Sequence, residues 1–194
     1  EGYYIGSDYE RFTVRSNVEF KPKKWLKGSL NTSYAYSTMN AAGQGGNMNN
    51  GFAYVNGMPA IYPVHLYNED GTIQKDERTG DLAFDYGMHE GAGRGFGAGI
   101  NPAGSLLYDR DHTLQHHFNT AGMLEVKFYK DLKLTVNAGL TYLGLTNSAF
   151  TNAYYGDAAG IGRIDKTQTK RLAFMANQLL EYNKMIGDHS IRVM

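Results

Sequence analysis

The chain has 194 residues, no cysteine and a formal net charge of zero, because 19 Lys and Arg balance 19 Asp and Glu. The missing cysteine excludes a disulfide scaffold and Cys-ligated zinc or iron–sulfur sites, and the charge balance argues against a nucleic-acid binder. No apolar run approaches the ~18 residues of a membrane helix, which leaves membrane crossing by alternating β-strands open.

Composition favours β-structure with long polar loops. Glycine accounts for 24 residues, about 12% of the chain against a usual ~7%. Tyrosine accounts for 15 residues and proline for only 4. High glycine and tyrosine with little proline predict an all-β protein rather than a disordered chain.

Taken in chain order, five segments alternate apolar and polar residues with period two, and a sixth begins at Ser190. In each segment the apolar side chains occupy even positions and the polar ones odd positions. The segments cover residues 11–20, 26–37, 113–128, 132–142 and 164–182. We expect antiparallel up-and-down strands of about ten to eleven residues, with even positions on the apolar face.

The connections alternate between short and long. Turns of about two to five residues lie at 21–24, 130–131 and 187–188, whereas the loops 39–111 and 147–163 are long. Short periplasmic turns, long extracellular loops and aromatic strand ends are typical of a transmembrane β-barrel. A secreted or surface β-sandwich that binds glycans is the alternative, although its connections would be short at both ends.

The loop 39–111 has an unusual composition. It contains 14 of the 24 glycines, three of the four prolines and an excess of five acidic residues. A structureless loop of this length is uncommon, so we expect a functional extracellular lid with short hairpins of its own. Asn101-Pro102 is expected to stop any helix in this region.

Several local strings, in this order, resemble the SusC/RagA-type TonB-dependent transporters of Gram-negative outer membranes. They are Gly6-Ser7-Asp8-Tyr9-Glu10-Arg11-Phe12 with Arg15-Ser16-Asn17 and Lys24-Trp25-Leu26; Tyr62-Pro63-Val64 with Asn68-Glu69-Asp70-Gly71; Asn101-Pro102 just before a strand; Tyr155-Gly156; and Tyr182-Asn183-Lys184 with Gly187-Asp188-His189-Ser190. Together they cover nearly the whole chain.

The resemblance implies a barrel of about 22 strands with a plug, located in the bacterial outer membrane. It also implies import of oligosaccharides or peptides with energy from the TonB complex, which acts through the plug, under a SusD-type surface lipoprotein. Because the sequence starts at Glu1 and shows no plug or TonB box, we expect residues 1–194 to be about six strands of the barrel wall, in contact with the lipid bilayer. The plug and the remaining strands are then expected to lie outside this segment.

The long loop also supplies candidate ligand-binding residues. Aromatic faces combined with planar polar groups suit sugar rings or peptide backbone. The candidates are Tyr54, Asn56, Tyr62, His65, Tyr67, Asp85 and Tyr86. The alternative is that these residues pack the loop or contact a lid protein.

A weak calcium candidate lies in the same loop. Counted from Leu66, Asn68, Asp70 and Glu77 occupy positions 3, 5 and 12 of a calcium loop, but position 1 is not an acid. An Asp-Gly hairpin turn explains the same residues, so we expect no metal.

No arrangement of residues indicates catalysis or a cofactor. The glycines from Gly93 to Gly97 formally fit a dinucleotide fingerprint, but no helix is expected to follow them. His112, His116 and His117 cannot all meet one metal on a strand, and Asp76 is expected to be a solvated loop charge without a shifted pKa. We therefore expect a non-enzymatic protein without a cofactor.

Overall fold

A computed structural model describes residues 6–41, 51–88, 93–129 and 131–194. Six strands form one antiparallel up-and-down sheet in the order β1-β2-β3-β4-β5-β6. Their bounds are β1 Ser7–Lys23, β2 Leu26–Ala41, β3 Arg110–Tyr129, β4 Leu132–Thr151, β5 Arg163–Ile186 and β6 His189–Val193. This confirms the predicted all-β class, and the single sheet excludes the two-sheet sandwich for the described residues.

The period-two pattern places even and odd positions on opposite faces of the sheet. Thr32 Oγ1 lies 3.0 Å from Thr120 Oγ1 across β2 and β3. Asn137 donates a 2.9 Å hydrogen bond to Asn177 across β4 and β5. Contacts between side chains of the same parity on neighbouring strands are expected when alternate residues share a face.

The strands are longer than the alternation indicated. β3 and β4 each have 20 residues and β5 has 24, so the expectation of ten to eleven residues was wrong. Alternation of hydropathy shows only where one face of a strand is apolar, whereas the backbone of a strand can continue beyond it, as at 143–151 of β4. The strands therefore extend a few residues into the predicted loops at 39–111 and 147–163.

Two of the predicted turns are very short. Lys24 and Trp25 connect β1 to β2, so the turn predicted at 21–24 was misplaced and 21–23 belong to β1. Gly187-Asp188 connects β5 to β6 as predicted. Gly187 has a φ of 59°, the left-handed conformation that such a turn requires and that glycine adopts without strain. Lys130 of the third turn, like residues 42–50 and 89–92 of the long loop, lies outside the described residues.

Two short helices lie in the long loop, α1 at Gly51–Gly57 and α2 at Pro102–Tyr108. Asn101-Pro102 therefore starts a helix, and the expectation that it stops one, or directly precedes a strand, was wrong. Asn101 is the N-cap, and its side chain accepts hydrogen bonds from the amides of Ala103 and Gly104. Proline suits the first helical position because its missing N–H would have no partner there.

The chain divides into two compact units. The loop unit comprises Glu1–Tyr9, Thr38–Thr113 and Asn147–Thr167, and the strand unit comprises Glu10–Ser37, Leu114–Thr146 and Gln168–Met194. Among the described residues, the buried hydrophobic side chains belong to the loop unit except for Ala35. Within the same residues no helix is long and apolar enough to cross a membrane.

Candidate functional site

A small β-structure forms the frame of the loop unit. Isolated bridges pair His65 with Phe84, Tyr67 with Ile73 and Lys75 with Leu82. Backbone hydrogen bonds of 2.8–3.0 Å join the same segments, among them Leu66 N to Ala83 O. The predicted lid therefore has hairpin structure of its own between residues 64 and 86.

An aromatic cluster packs against this frame. Phe84, Tyr86 and Tyr155 are each less than 9% exposed, and Tyr108 packs against them. The rings of Tyr86 and Tyr155 stack in parallel with centroids 4.8 Å apart, and Phe84 meets Tyr155 edge-on at 6.1 Å. Tyr155 belongs to the loop between β4 and β5, so the cluster joins the two long loops.

A polar network links the same two loops. The Tyr155 hydroxyl donates a hydrogen bond to Asp76 Oδ2. Arg78 Nη2 binds the same carboxylate at 2.8 Å, and Arg78 Nη1 donates to the carbonyl oxygen of Tyr154 at 3.1 Å. The guanidinium also lies 5.3 Å from the centroid of the Tyr155 ring, within cation–π range. We call Asp76, Arg78 and Tyr155 the loop junction.

The loop junction shifts the ionisation of its members. Hydrogen bonds from the Arg78 side chain, and next from Tyr155, hold the pKa of Asp76 well below its usual range. Burial and the bond to Asp76 raise the pKa of Tyr155 to about 12. Asp76 is thus a paired carboxylate, and the expectation of a solvated charge with an unshifted pKa was wrong.

A second set of hydrogen bonds, close to the loop junction, links the two long loops. Asn152 is 1% exposed, and its backbone N and Nδ2 donate to Asp109 Oδ1 at 2.8 and 2.6 Å. Its Oδ1 accepts hydrogen bonds from the amides of Tyr154 and Tyr155. A buried amide that is satisfied in this way fixes the path of the chain on both sides of it.

Arg94 organises the glycine-rich segment. Its guanidinium donates to the carbonyl oxygens of Phe96, Gly97 and Ile100 at 2.6–3.0 Å and lies 5.5 Å from the Tyr62 ring centroid. Nη1 is buried, lies 3.9 Å from Asp85 Oδ2, and has no hydrogen-bond partner among the described residues. By donating hydrogen bonds to three backbone carbonyls, Arg94 orders this segment, which has no regular structure.

The structure brings three predicted ligand residues to Arg94. Tyr62 lies against its guanidinium and Asp85 is its ion-pair partner. Tyr54, in α1, interacts with Arg94, although burial is the largest effect on its pKa and raises it. Asp85 is 6% exposed and accepts a hydrogen bond from Gly87 N at 2.6 Å.

The other predicted ligand residues lie elsewhere. Tyr86 is buried in the aromatic cluster, where burial raises its pKa. His65 packs on Phe84 with ring centroids 4.7 Å apart. Asn56 and Tyr67 are exposed, and Tyr67 is 51% accessible. Of the seven candidates, Asp85 and Tyr86 are thus buried, Tyr54, Tyr62 and His65 are half-buried, and Asn56 and Tyr67 are exposed. Ligand binding by any of them stays a prediction.

The calcium candidate forms a closed turn. Asp70 Oδ1 accepts from the backbone N and the hydroxyl of Thr72, and hydrogen bonding to that side chain lowers the pKa of Asp70. Asn68 donates to the Thr72 hydroxyl at 2.9 Å, and Gly71 has a φ of 82°. Glu77 is exposed. In the described part of the chain, no three His, Asp or Glu residues are grouped to hold a metal.

Sequence reasoning assigned no site role to Arg94, Arg78 or Tyr155, which make many of the contacts in the loop unit. Their sequence signals were weak, because each sits beside glycine or acidic residues of the kind that fill ordinary loops. An arginine inside a glycine-rich segment is the one usable signal, since exposed carbonyls there need donors.

No protein-family model and no curated protein matches the chain. Solved structures do match, among them two of RagAB. The chain is 20% identical to a chain of the RagAB peptide transporter, with a TM-score of 0.63 over 94% of this chain and 19% of that one. For the RagAB peptide importer in the closed-closed state the identity is 20% and the TM-score 0.65, over 96% and 19%. The chain thus spans about a fifth of their length and shares the fold of that part.

Proposed function

We propose that this chain is part of the barrel wall of a SusC/RagA-type TonB-dependent transporter in the bacterial outer membrane. One observation carries the proposal. In the open up-and-down sheet, short turns join the strands at one end and structured loops join them at the other. The sheet also superposes on part of a peptide transporter. This asymmetry of connections is typical of outer-membrane barrels.

The two faces of the strand unit support a membrane position. On the even face Leu172 is 67% and Phe174 83% exposed, which is costly in water but favourable against lipid. On the odd face Glu181 forms ion pairs with Lys133 and, at 2.9 Å, with Arg192, which shares this face because β6 pairs Arg192 with Asn183. Apolar even positions therefore face lipid in this proposal, and polar odd positions face the lumen.

The loop unit is the part of the chain that meets the substrate. The fold neighbours import peptides, and this chain serves an oligopeptide or an oligosaccharide. Tyr67 offers an exposed ring for stacking and Tyr62 a half-buried one, with Asn56 as a hydrogen-bonding partner. The excess of acidic residues in 39–111 disfavours polyanionic substrates.

A SusD-type lipoprotein is the proposed surface partner. Exposed apolar side chains lie near α1, where Val55 is 75% and Ile61 81% exposed. Such side chains suit a protein partner that covers them. Coupling to the TonB complex belongs to a plug outside this chain, and the segment itself carries out no catalysis and holds no cofactor.

Cysteine labelling tests the topology directly. This segment has no cysteine, so Asp70→Cys in the long loop and Lys24→Cys in the short turn each create one thiol in it. Any cysteine elsewhere in the natural full-length protein is replaced first. A membrane-impermeant maleimide applied to intact cells should label Cys at position 70, whereas position 24 should react only after the outer membrane is permeabilised. Labelling of both positions in intact cells, or recovery of the protein in a soluble fraction, contradicts the proposal.

A further inference from the structure

Four lysines gather on the odd face of the strand unit, at the end where β1 turns into β2. They are Lys21 and Lys23 of β1, Lys27 of β2 and Lys127 of β3, and we call them the basic patch. All four are exposed. Lys127 N donates a 2.8 Å hydrogen bond to Trp25 O, which places β3 beside the turn. The patch therefore spans three neighbouring strands at one end of the sheet.

Two of these lysines are cross-strand neighbours. A Cβ atom added to Gly28 would collide with the Phe20 ring, so positions 20 and 28 lie opposite each other on the even face. Positions 21 and 27 then lie opposite each other on the odd face, because the two strands are antiparallel and alternate their side chains. Like charges directly opposite each other destabilise a sheet, so Lys21 and Lys27 need carboxylates close by.

The described residues do not provide those carboxylates. Glu19 and Glu125 share the odd face, two residues from Lys21 and Lys127, yet within the described ranges no acid lies within ion-pair distance of a patch lysine. Elsewhere on this face cations do have partners. Lys133 Nζ lies 3.8 Å from Glu125 Oε2, and Glu181 binds both Lys133 and Arg192. The acids that complement the basic patch therefore have to come from another part of the protein.

We propose that the basic patch docks an acidic polypeptide segment of the full-length protein that lies inside the barrel. The inference rests on the proposed function, in which the odd face lines the lumen and a plug outside this chain occupies it. Lysine amines enclosed between a barrel wall and a plug lose part of their hydration, and burying a charge without a partner is costly. The surface that covers the patch is therefore expected to carry carboxylates that match the lysines in position.

Two other sources of carboxylates fit the patch less well. The barrel strand that continues the sheet beyond β1 can reach Lys21 and Lys23, but Lys27 lies on β2, between β1 and β3. An anionic substrate in transit can reach the lumen, but it would leave Lys21 and Lys27 without counter-charges between transport events. A segment that stays in place fits best, because the lysines are charged at all times at neutral pH.

Zero-length cross-linking of the full-length protein tests this. A carbodiimide joins a lysine amine to a carboxylate when the two are in contact, and mass spectrometry identifies the linked peptides. The protein is purified from outer membranes in detergent, without added substrate. The ion pair of Lys133 with Glu181 is the internal positive control. Lys184, which is exposed on the even face of β5 near the same end of the sheet, is the matched negative control.

We expect Lys27 and at least one other patch lysine to couple to carboxylates of one segment outside residues 1–194, and Lys184 to couple to none of them. Replacing Lys21, Lys23 and Lys27 by Gln should then make the amides of that segment exchange hydrogen about tenfold faster, because partly exposed ion pairs are lost. Lys184→Gln should leave this exchange rate unchanged.

Three results would overturn the inference. Coupling of the patch only to Glu19 or Glu125 would show that this chain supplies its own acids, and coupling only to the strand that pairs with β1 would assign the partner to the barrel wall. Coupling that appears only after an acidic peptide is added would identify the substrate as the occupant. A membrane-inserted protein that forms the Lys133–Glu181 link but no patch link refutes this inference alone, whereas a protein absent from the outer membrane refutes the proposed function.

Discussion

The loop junction should make the two long loops open together. Tyr155 is 8% exposed, its ring stacks on Tyr86, and its hydroxyl binds Asp76. Removing the ring with Tyr155→Ala should cost ~3–5 kcal/mol of local stability, as for other buried aromatic residues. Tyr155→Phe removes only the hydrogen bond from the hydroxyl to the Asp76 carboxylate, which keeps its ion pair with Arg78. This substitution should cost ~1–3 kcal/mol of local stability.

Hydrogen exchange on the full-length protein in detergent measures these costs. Because about 1.4 kcal/mol corresponds to a factor of ten, Tyr155→Phe should accelerate exchange about 5- to 150-fold at amides that open with the junction. The informative amides are Leu66 and Ala83 in the first loop and Gly160 in the second. Tyr154→Phe is the matched control, because the Tyr154 hydroxyl has no hydrogen bond among the described residues and its ring is kept.

The reasoning requires that both loops respond. If Tyr155→Ala accelerates exchange only at Gly160 and leaves Leu66 and Ala83 protected, the loops open independently. The junction would then be a contact without coupling. Equal effects of Tyr154→Phe and Tyr155→Phe would equally refute the assigned role of the hydroxyl.

Three further outcomes are expected from single positions. Leu134→Arg should cost ~2–4 kcal/mol near mid-bilayer and Thr135→Arg much less, measured by refolding of the full-length barrel, and equal costs would contradict the face assignment. Gly104→Ala would place a methyl 2.6 Å from the Tyr86 hydroxyl, so local protection should fall by ~1–3 kcal/mol, although helix propensity alone predicts a gain of up to ~1 kcal/mol. Folding lowers the pKa of Asp76, so its carboxylate stabilises the folded loops fully at a pH above ~3.9, the pKa of a free Asp. This stabilisation fades as the pH falls further. Protection factors corrected for intrinsic exchange should therefore fall from pH 6 to pH 3 in the wild type but not in Asp76→Asn, and equal falls would assign the acid effect to another group.

Sequence reasoning predicted the strands but not their lengths or the start of α2. Period-two hydropathy was sufficient to predict the strands, since a sheet with one apolar face requires it. It could not give the lengths of the strands, because residues 143–151 of β4 continue the strand beyond the regular alternation. It also misread Asn101-Pro102, since the same dipeptide can end one helix or start another, and the surrounding chain decides which.

The sequence by itself determined the all-β class, the separation of even and odd faces and the alternation of short and long connections, because each depends on neighbouring residues. Only the tertiary structure decided that Asp76 is paired, that Arg94 holds three carbonyls and that Tyr155 joins the two loops. Seventy-nine residues separate Tyr155 from Asp76 in the chain. No local pattern encodes a contact over that distance, because it forms only when the two long loops pack against each other.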